Sequence, residues 1–429
     1  MKSDEHVNDP LEEAKQFLMQ VSPRPAMVAT SGKGSWLTSH EGTAYLDFVQ
    51  GRGTNALGHC APEVSRALTT QASAMVNPGS HLYNDQGLRL AKMLAQAAGL
   101  DQVFFANSGT EANEAAIKLA RKWGRLNGRE NPEILVFQGA FHGRSMGSMS
   151  ASVRPDWDRW FGPLAPGFRV VPFNDLAAVA QAFSPQVAAV LVEPVQGEAG
   201  VIVGTQHFLR GLRELCDRNG ALLILDEVQT GMGRLGSLFA FQHYGVRPDI
   251  VTTGKGLGNG FPISAVLATE AVSVFEHGEH GGTFNGGPLA CSVALATLAT
   301  VHTEPFLNDV RAKGEQLGRR LRSLGEALQC GGAAGIGLMW RMELSQPIAA
   351  AVVRYAMDGL RADPGWECRG LLLNAPRPHI LRFLPALNVS ADEIDLMIDG
   401  LRRSIIHVSG SGMHNAQAPA SAPAPYLNG

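Results

Sequence analysis

Charge is scarce in this 429-residue chain: Asp, Glu, Lys and Arg make up 17% of it, and the net charge is -3. It holds no basic block of the kind that tracks a phosphate backbone, which argues against nucleic acid as a partner. Cysteine is sparse as well. Cys60, Cys216, Cys291, Cys330 and Cys368 are odd in number and widely spread, with no C-x-x-C pair. That pattern fits reduced, structural thiols in a reducing compartment, not a disulfide scaffold or a zinc site. No apolar run approaches the roughly 18 residues that cross a bilayer. The opening MKSDEHVNDP is charged and has no apolar stretch behind it. A soluble, cytoplasmic protein is expected, with no membrane partner and no metal. Nucleotide fingerprints are missing too. In TTGKGLGNG a glycine follows Lys255, so the spacing G-x-x-x-x-G-K-[ST] fails, and glycines at every second position do not give G-x-G-x-x-G.

Glycine, by contrast, is plentiful, with 49 residues, and 45% of the chain is hydrophobic. Both suit an α/β enzyme with many tight turns, and the length suggests two to three domains. Between about 100 and 270, short apolar runs recur at 103–106, 134–138, 169–171, 188–193, 222–225, 250–253 and 264–268. Helical-period segments lie between several of them, as at 113–125 and 206–219. Such alternation predicts a largely parallel sheet buried on both faces. The first sixty residues read as a helix over 10–20 and then short strands. A helix over 306–330 and a last one over 391–405 frame a smaller C-terminal α/β unit. The Ala-, Pro-, Ser- and Gly-rich residues 409–429 read as a disordered tail.

Ligands of parallel sheets sit beyond the carboxyl ends of the strands. In ALLILDEVQTG, five apolar residues lead to Asp226 and Glu227. An acid there either caps a neighbouring turn or answers a protonated ligand nitrogen. In FFANSGTEANEAAIKLAR, Ser108 and Glu111 have capping-box spacing, and Ser108, Gly109 and Thr110 open a helix. A helix start at a strand end is a phosphate site. Phe141 and His142, in FQGAFHGRS, leave the strand at 134–138 and can stack on a flat ring. Lys255 follows the strand at 250–253 with glycines clearing space around it. A lysine, an acid, a phosphate cup and a ring platform together suggest pyridoxal phosphate. Desolvation would leave the lysine amine neutral and nucleophilic.

The chain resembles the class III (subgroup II) aminotransferases, and its acetylornithine-type members most. The matching stretches are NSGTEANEAAIKLAR, FHGRS, EPVQGEAG, LLILDEVQTGMGRLG, TTGKGLGNGFP, GGTFNGGPLAC and LRFLPALNVS, in the family's order from about residue 20 to 405. The resemblance implies fold type I of the pyridoxal-phosphate enzymes. That fold has a large domain (61–304) with a mostly parallel seven-stranded sheet, and a smaller α/β domain from the chain ends (1–60 and 305–408). It implies that Lys255 binds the cofactor covalently and shuttles the proton, while Asp226 keeps the pyridine nitrogen protonated. Ser108, Gly109 and Thr110 would bind the phosphate, Phe141 and His142 would flank the ring, and Gln229 would reach the ring oxygen. Thr283 would reach the phosphate of the other subunit, making a homodimer the active unit. Arg144 would take a distal carboxylate and Arg382 the α-carboxylate of glutamate or 2-oxoglutarate. Glu198 would release or neutralise Arg382 according to substrate; a fixed ion pair is the plainer alternative.

The implied reaction moves the terminal amino group of N²-acetylornithine, or a close ω-amine, to 2-oxoglutarate by a ping-pong route in arginine metabolism. Ornithine, succinylornithine, N-succinyl-diaminopimelate, 4-aminobutyrate and diamines stay open as donors, as do racemisation and an aminomutase reaction. The chain departs from the family at two places. Arg52 stands where the family carries a hydrophobic or aromatic residue near the substrate mouth. A solvent-facing side chain is the plain reading; turned inward, it would be a third cation that favours a second carboxylate on the donor. TFNGGP also reorders the usual Gly-Gly-Asn around Thr283. His59, Met232, Trp123 and the cysteines read as turn or packing residues.

Overall fold

Segments such as VAAVLV and LLILD are apolar along nearly their whole length, so neither face of a strand built from them can stay wet. In the computed structural model, which describes residues 10–152, 154, 156–366 and 370–412, they form the middle of a seven-stranded sheet. Its strands are β1 (Gln102–Ala106), β2 (Glu133–Phe137), β3 (Phe168–Val171), β4 (Val187–Val192), β5 (Leu222–Asp226), β6 (Ile250–Thr253) and β7 (Ser264–Ala268). The spatial order is β1-β7-β6-β5-β4-β2-β3. Only β7 runs antiparallel to its neighbours, β6 and β1; the pairs from β6 through β3 are parallel. The expected seven runs are these seven strands, with ends shifted by a residue at most.

Two helices show why the layers close. Helix α1 (Gly109–Leu126) turns Ala112, Ala115, Ala116 and Ala120 to one face of the sheet. There they pack with Ile134, Val136, Ala189, Leu191, Ile224 and Val266. Small side chains on that stripe let the helix axis sit close to the strands. Helix α2 (Gln206–Asn219) covers the other face with Phe208, Leu209, Leu212 and Leu215, and ends on Gly220 at φ 58, as a left-handed C-cap requires.

The two ends of the chain meet. Strands Ala29–Lys33, Trp36–Ser39 and Ala44–Asp47 are joined by Leu371–Leu372, which pairs parallel to Ala44–Asp47. A second small sheet is built from Ala333–Ile336, Met339–Glu343, Ile380–Phe383 and Asn374–Arg377 in that spatial order. Helix α3 (Glu304–Ala327) packs on it, and helix α4 (Ala391–Gly412) packs on α3.

Some expectations need correcting. The first helix stops at Phe17, not 20. The last helix runs on to Gly412, so residues 409–412 are not a disordered tail. Its apolar face continues through Ile405 and Val408 into the core, and His407 stacks on Tyr355 with centroids 3.9 Å apart; those contacts hold a Ser/Gly stretch in helix. Residues 413–429 lie outside the described residues. Cys216 and Cys291 are buried thiols, but Cys60 is exposed at φ 50 and packs in no core. Cys368 is outside the described residues. No helix among the described residues is long and apolar enough to cross a membrane.

Candidate active site

The carboxyl ends of β1, β2, β4, β5 and β6 open on one edge of the sheet, and each carries a functional residue. Asp226 ends β5 and is buried. A charge in that position needs donors, and it has them. Asn113 Nδ2 donates to Oδ2 at 2.7 Å, the Val228 amide donates to Oδ1 at 3.0 Å, and the Thr252 hydroxyl reaches Oδ1 at 3.4 Å. His142 Nδ1 lies 2.7 Å from Oδ2. His142 is therefore not a stacking platform beside Phe141. Its ring is wholly buried against Asp226, because the Ser152 hydroxyl accepts from its amide and the Asn113 side chain donates to its carbonyl. Asn113 and Thr252 are also bonded to each other. Sequence reading missed both; an Asn on the sheet-facing stripe of an Ala-rich helix was the available signal.

Glu227 behaves differently from its neighbour. It accepts from the amides of Ala240 and Phe241 and from the Thr230 hydroxyl, so it caps the short helix Ala240–Tyr244. Burial pushes its carboxyl up to about 7 despite those bonds. Glu193, just past β4, is a further acid that sequence reading passed over. It accepts from the amides of Phe141 and Gly197, and burial raises it to about 7, against the pull of His142. Its place in EPVQGEAG, at a strand end, was the signal.

Lys255 follows β6 in a turn with φ 40. A non-glycine residue held there is strained, which is a mark of a position fixed for function. The glycines around it are closely packed. A Cβ on Gly254 would press on Ser264 Cβ at 3.3 Å, and one on Gly256 on Met232 Cβ at 3.2 Å. Burial lowers the Lys255 pKa, as does Arg382, while Glu198, Asp226 and Glu193 oppose the shift. The result is an amine with more of its neutral, nucleophilic form near neutral pH.

At the start of α1 the capping box forms as expected: Ser108 Oγ accepts from the Glu111 amide, and Glu111 accepts from the Ser108 amide. The amides of Gly109 and Thr110, first in the helix, have no acceptor within it and none elsewhere among the described residues. The Thr110 hydroxyl is bonded to Ser145 and Ser148 at 2.8 and 2.7 Å, which leaves the amides of Gly109 and Thr110 and the Ser108 hydroxyl as the donors at the helix start. Ser264 donates to the Ser108 carbonyl and Asn107 to Asn285. The Asn107 bond ties the cup to the loop that carries Thr283, which is exposed.

Arg382, on Ile380–Phe383, is 1% exposed. Its Nη1 donates to Glu198 at 2.8 Å and to the Gly197 carbonyl, and its Nε to Asn374. Burial would raise the Glu198 carboxyl, but the charges of Arg382, Lys255 and Arg52 overcome it and hold the group at about 2. Arg144 places its guanidinium 5.6 Å from the Phe141 ring centre. Gln229 donates to the Arg52 carbonyl at 3.3 Å and leaves its buried Oε1 without a partner. A Cβ on Gly197 would collide with that oxygen, so any larger residue there would displace the end of the Gln229 side chain.

These residues fit pyridoxal phosphate on the structure's own terms. Free helix amides suit a phosphate, a multiply bonded buried carboxylate suits a ring nitrogen, Gln229 keeps an unpartnered amide oxygen, and Lys255 is desolvated. A site so equipped belongs to the pyridoxal-phosphate-dependent enzymes. The chain is a class III aminotransferase: the family model "Aminotransferase class-III" matches residues 19–405. Acetylornithine aminotransferase 2 of Bordetella pertussis is 48% identical over 384 residues, spanning 90% of this chain and 95% of that one. Among solved structures, ornithine aminotransferase of Toxoplasma gondii, described with partial occupancy of pyridoxal phosphate at its active site, superposes with a TM-score of 0.88 at 32% identity, covering 95% and 96% of the two chains. N-acetylornithine aminotransferase of Stenotrophomonas maltophilia gives 0.80 at 34% identity, covering 94% and 100%.

Proposed function

We propose that this aminotransferase moves the terminal amino group of N²-acetylornithine to 2-oxoglutarate, with Lys255 as the reacting lysine. The observation that carries the reading is the buried Arg382–Glu198 pair facing Lys255. It offers an α-carboxylate site that can be filled by a substrate or closed by a side chain. When bound, pyridoxal phosphate supplies an aldehyde for the donor amine and a protonated ring that takes up the electron pair left at the substrate carbon. Asp226 holds the proton on the ring nitrogen, and Asn113, His142 and Thr252 keep its carboxylate aimed. Lys255, whose neutral form desolvation favours, would take the proton from the amine-bearing carbon and deliver it to the cofactor's aldehyde carbon. Glu198 keeps Arg382 neutralised while an ω-amine occupies the site, then yields it to the α-carboxylate of 2-oxoglutarate. Arg144 receives the donor's own carboxylate.

A homodimer fits the same reading. Phe284 is 65% exposed and Tyr83 93%, with Val76 and Leu82 also exposed, and the Asn84 bond to the Gly286 carbonyl brings their two loops together. A second copy covering that apolar patch would bring its Thr283 to this chain's phosphate cup. The test is a donor panel with 2-oxoglutarate. N²-acetylornithine should give the highest kcat/KM among itself, ornithine, 4-aminobutyrate and putrescine, with one glutamate per semialdehyde. A better plain amine, or turnover without glutamate, overturns the proposal.

A further inference from the structure

Arg144 is exposed, and the stretch that carries it lies between β2 and the short helix Met146–Ala151. A guanidinium placed there selects a carboxylate well only if its backbone is fixed before the ligand arrives. The fixing comes from α1. The amides of Arg144 and Ser145 both donate to Thr110 Oγ1, at 3.1 and 3.3 Å. That oxygen lies 2.8 Å from Ser145 Oγ and 2.7 Å from Ser148 Oγ, and the two serine oxygens are 2.8 Å apart. Ser145 Oγ and the Ser148 amide then donate to Glu114 Oε1, at 2.5 and 2.8 Å. Thr110 and Glu114 stand four residues apart on α1, so one helix face holds both ends of the network.

The carboxylate sets the direction of the protons. Glu114 Oε1 takes a backbone amide and is therefore an acceptor, so the Ser145 proton points to it. Ser145 Oγ is left as an acceptor toward the other hydroxyls. Thr110 can then turn its proton to a serine and keep its lone pairs for the two amides. Two glycines make room for this arrangement. A Cβ on Gly143 would collide with Thr110 Oγ1 and Ser148 Oγ, and one on Gly147 with the Glu114 carboxylate. Larger residues there would displace those groups.

We infer that Glu114 is a positioning residue for Arg144: through Ser145, Ser148 and Thr110 it fixes the backbone from which the guanidinium meets the donor's carboxylate. The inference rests on the reading of Arg144 given above, and it adds the residue that sets how strongly a carboxylate-bearing donor is preferred.

The experiment compares kcat/KM of the holoenzyme for N²-acetylornithine and N-acetylputrescine, the same amine with and without its carboxylate. The unmodified enzyme should prefer N²-acetylornithine by at least about tenfold, the scale of a charge-assisted hydrogen bond. Arg144→Gln should remove most of that preference. Glu114→Ala should lower it by about fivefold, the scale of one neutral hydrogen bond. In the Arg144→Gln background the same change should shift the ratio by less than about twofold, because the residue through which it acts is gone. Each ratio cancels any loss of folded or loaded enzyme. Ser145→Ala cuts the network in its middle with Glu114 in place; it should lower the preference in the same direction, and it serves where Glu114→Ala does not accumulate. An unchanged preference in these variants, or an equal loss with and without Arg144, would overturn the positioning role while leaving the Arg144 reading intact. Full preference retained in Arg144→Gln would overturn both.

Discussion

Glu198 and Glu227 are both partly or wholly buried carboxylates near strand ends, yet one is held at about 2 and the other at about 7. Burial raises both; the difference is the company. Glu198 has Arg382, Lys255 and Arg52 around it, whereas Glu227 has neutral donors only. A depressed carboxyl adds stability that is present above its unfolded pKa and lost as pH falls toward the folded value, so Glu198 stays ionised across any working pH. It can then serve as the counter-charge of Arg382 in one half-reaction and leave it in the other. Glu198→Gln keeps the shape and removes that charge. Single-turnover rates should fall at least tenfold with N²-acetylornithine and markedly less with glutamate. Equal losses would mean a fixed structural pair. Lys255, Asp226 and Arg382, which we propose carry the chemistry, were marked out in the sequence because each stands in a short, distinctive motif. Asn113 and Thr252 were harder to see, since each lies inside a helical or apolar run and gains its meaning from what it touches, whereas Glu193 was marked by its place just past a strand end.

At the scale of single elements, local rules explain much of the site. The capping box at Ser108–Glu111 is a sequence pattern that became a helix start, and the same start supplies the free amides of the cup. The left-handed turn at Gln50–Gly53 was not legible, because Gln and Arg have no preference for positive φ and the turn is imposed by Asp47 and Gln229. Glu227 shows an element stabilised from a distance, since it caps Ala240–Tyr244 from the end of β5. Glu227→Ala leaves two buried amides unsatisfied and should cost about 2 kcal/mol or more, while cofactor absorbance is retained. Its folded pKa lies above the ordinary 4.5. The wild-type advantage is therefore greatest below that pH and narrows as pH rises to about 7. Urea unfolding of both proteins between pH 5 and 7 checks the trend; a gap that widens with pH would contradict the assignment.

On the scale of the molecule, five strand ends meet on one sheet edge, and segments from early and late in the chain reach it. The loop at 50–53 comes from one end of the chain and Arg382 from the other, and Gln229 and Glu198 join them to the sheet. Apolar surface around Phe284 and Tyr83 adjoins the phosphate cup, which argues for a site completed by a second copy. Light scattering should give twice 45.7 kDa for the wild type. Phe284→Asp should lower the mass toward one chain, with cofactor retention and activity lost on dilution. A fully active wild-type monomer would refute the shared site.

The sequence by itself determined the seven strands, the helices beside them and the motif residues at the strand ends, because continuous apolar runs and capping patterns act over a few residues. Only the tertiary structure decided that His142 braces Asp226, that Glu227 is a cap while Asp226 faces the site, and that Arg52 stays exposed in a left-handed turn held by Gln229. Those outcomes depend on which donors and charges lie within a few ångströms in space, and residues as far apart as 52, 229 and 382 carry no local trace of that proximity.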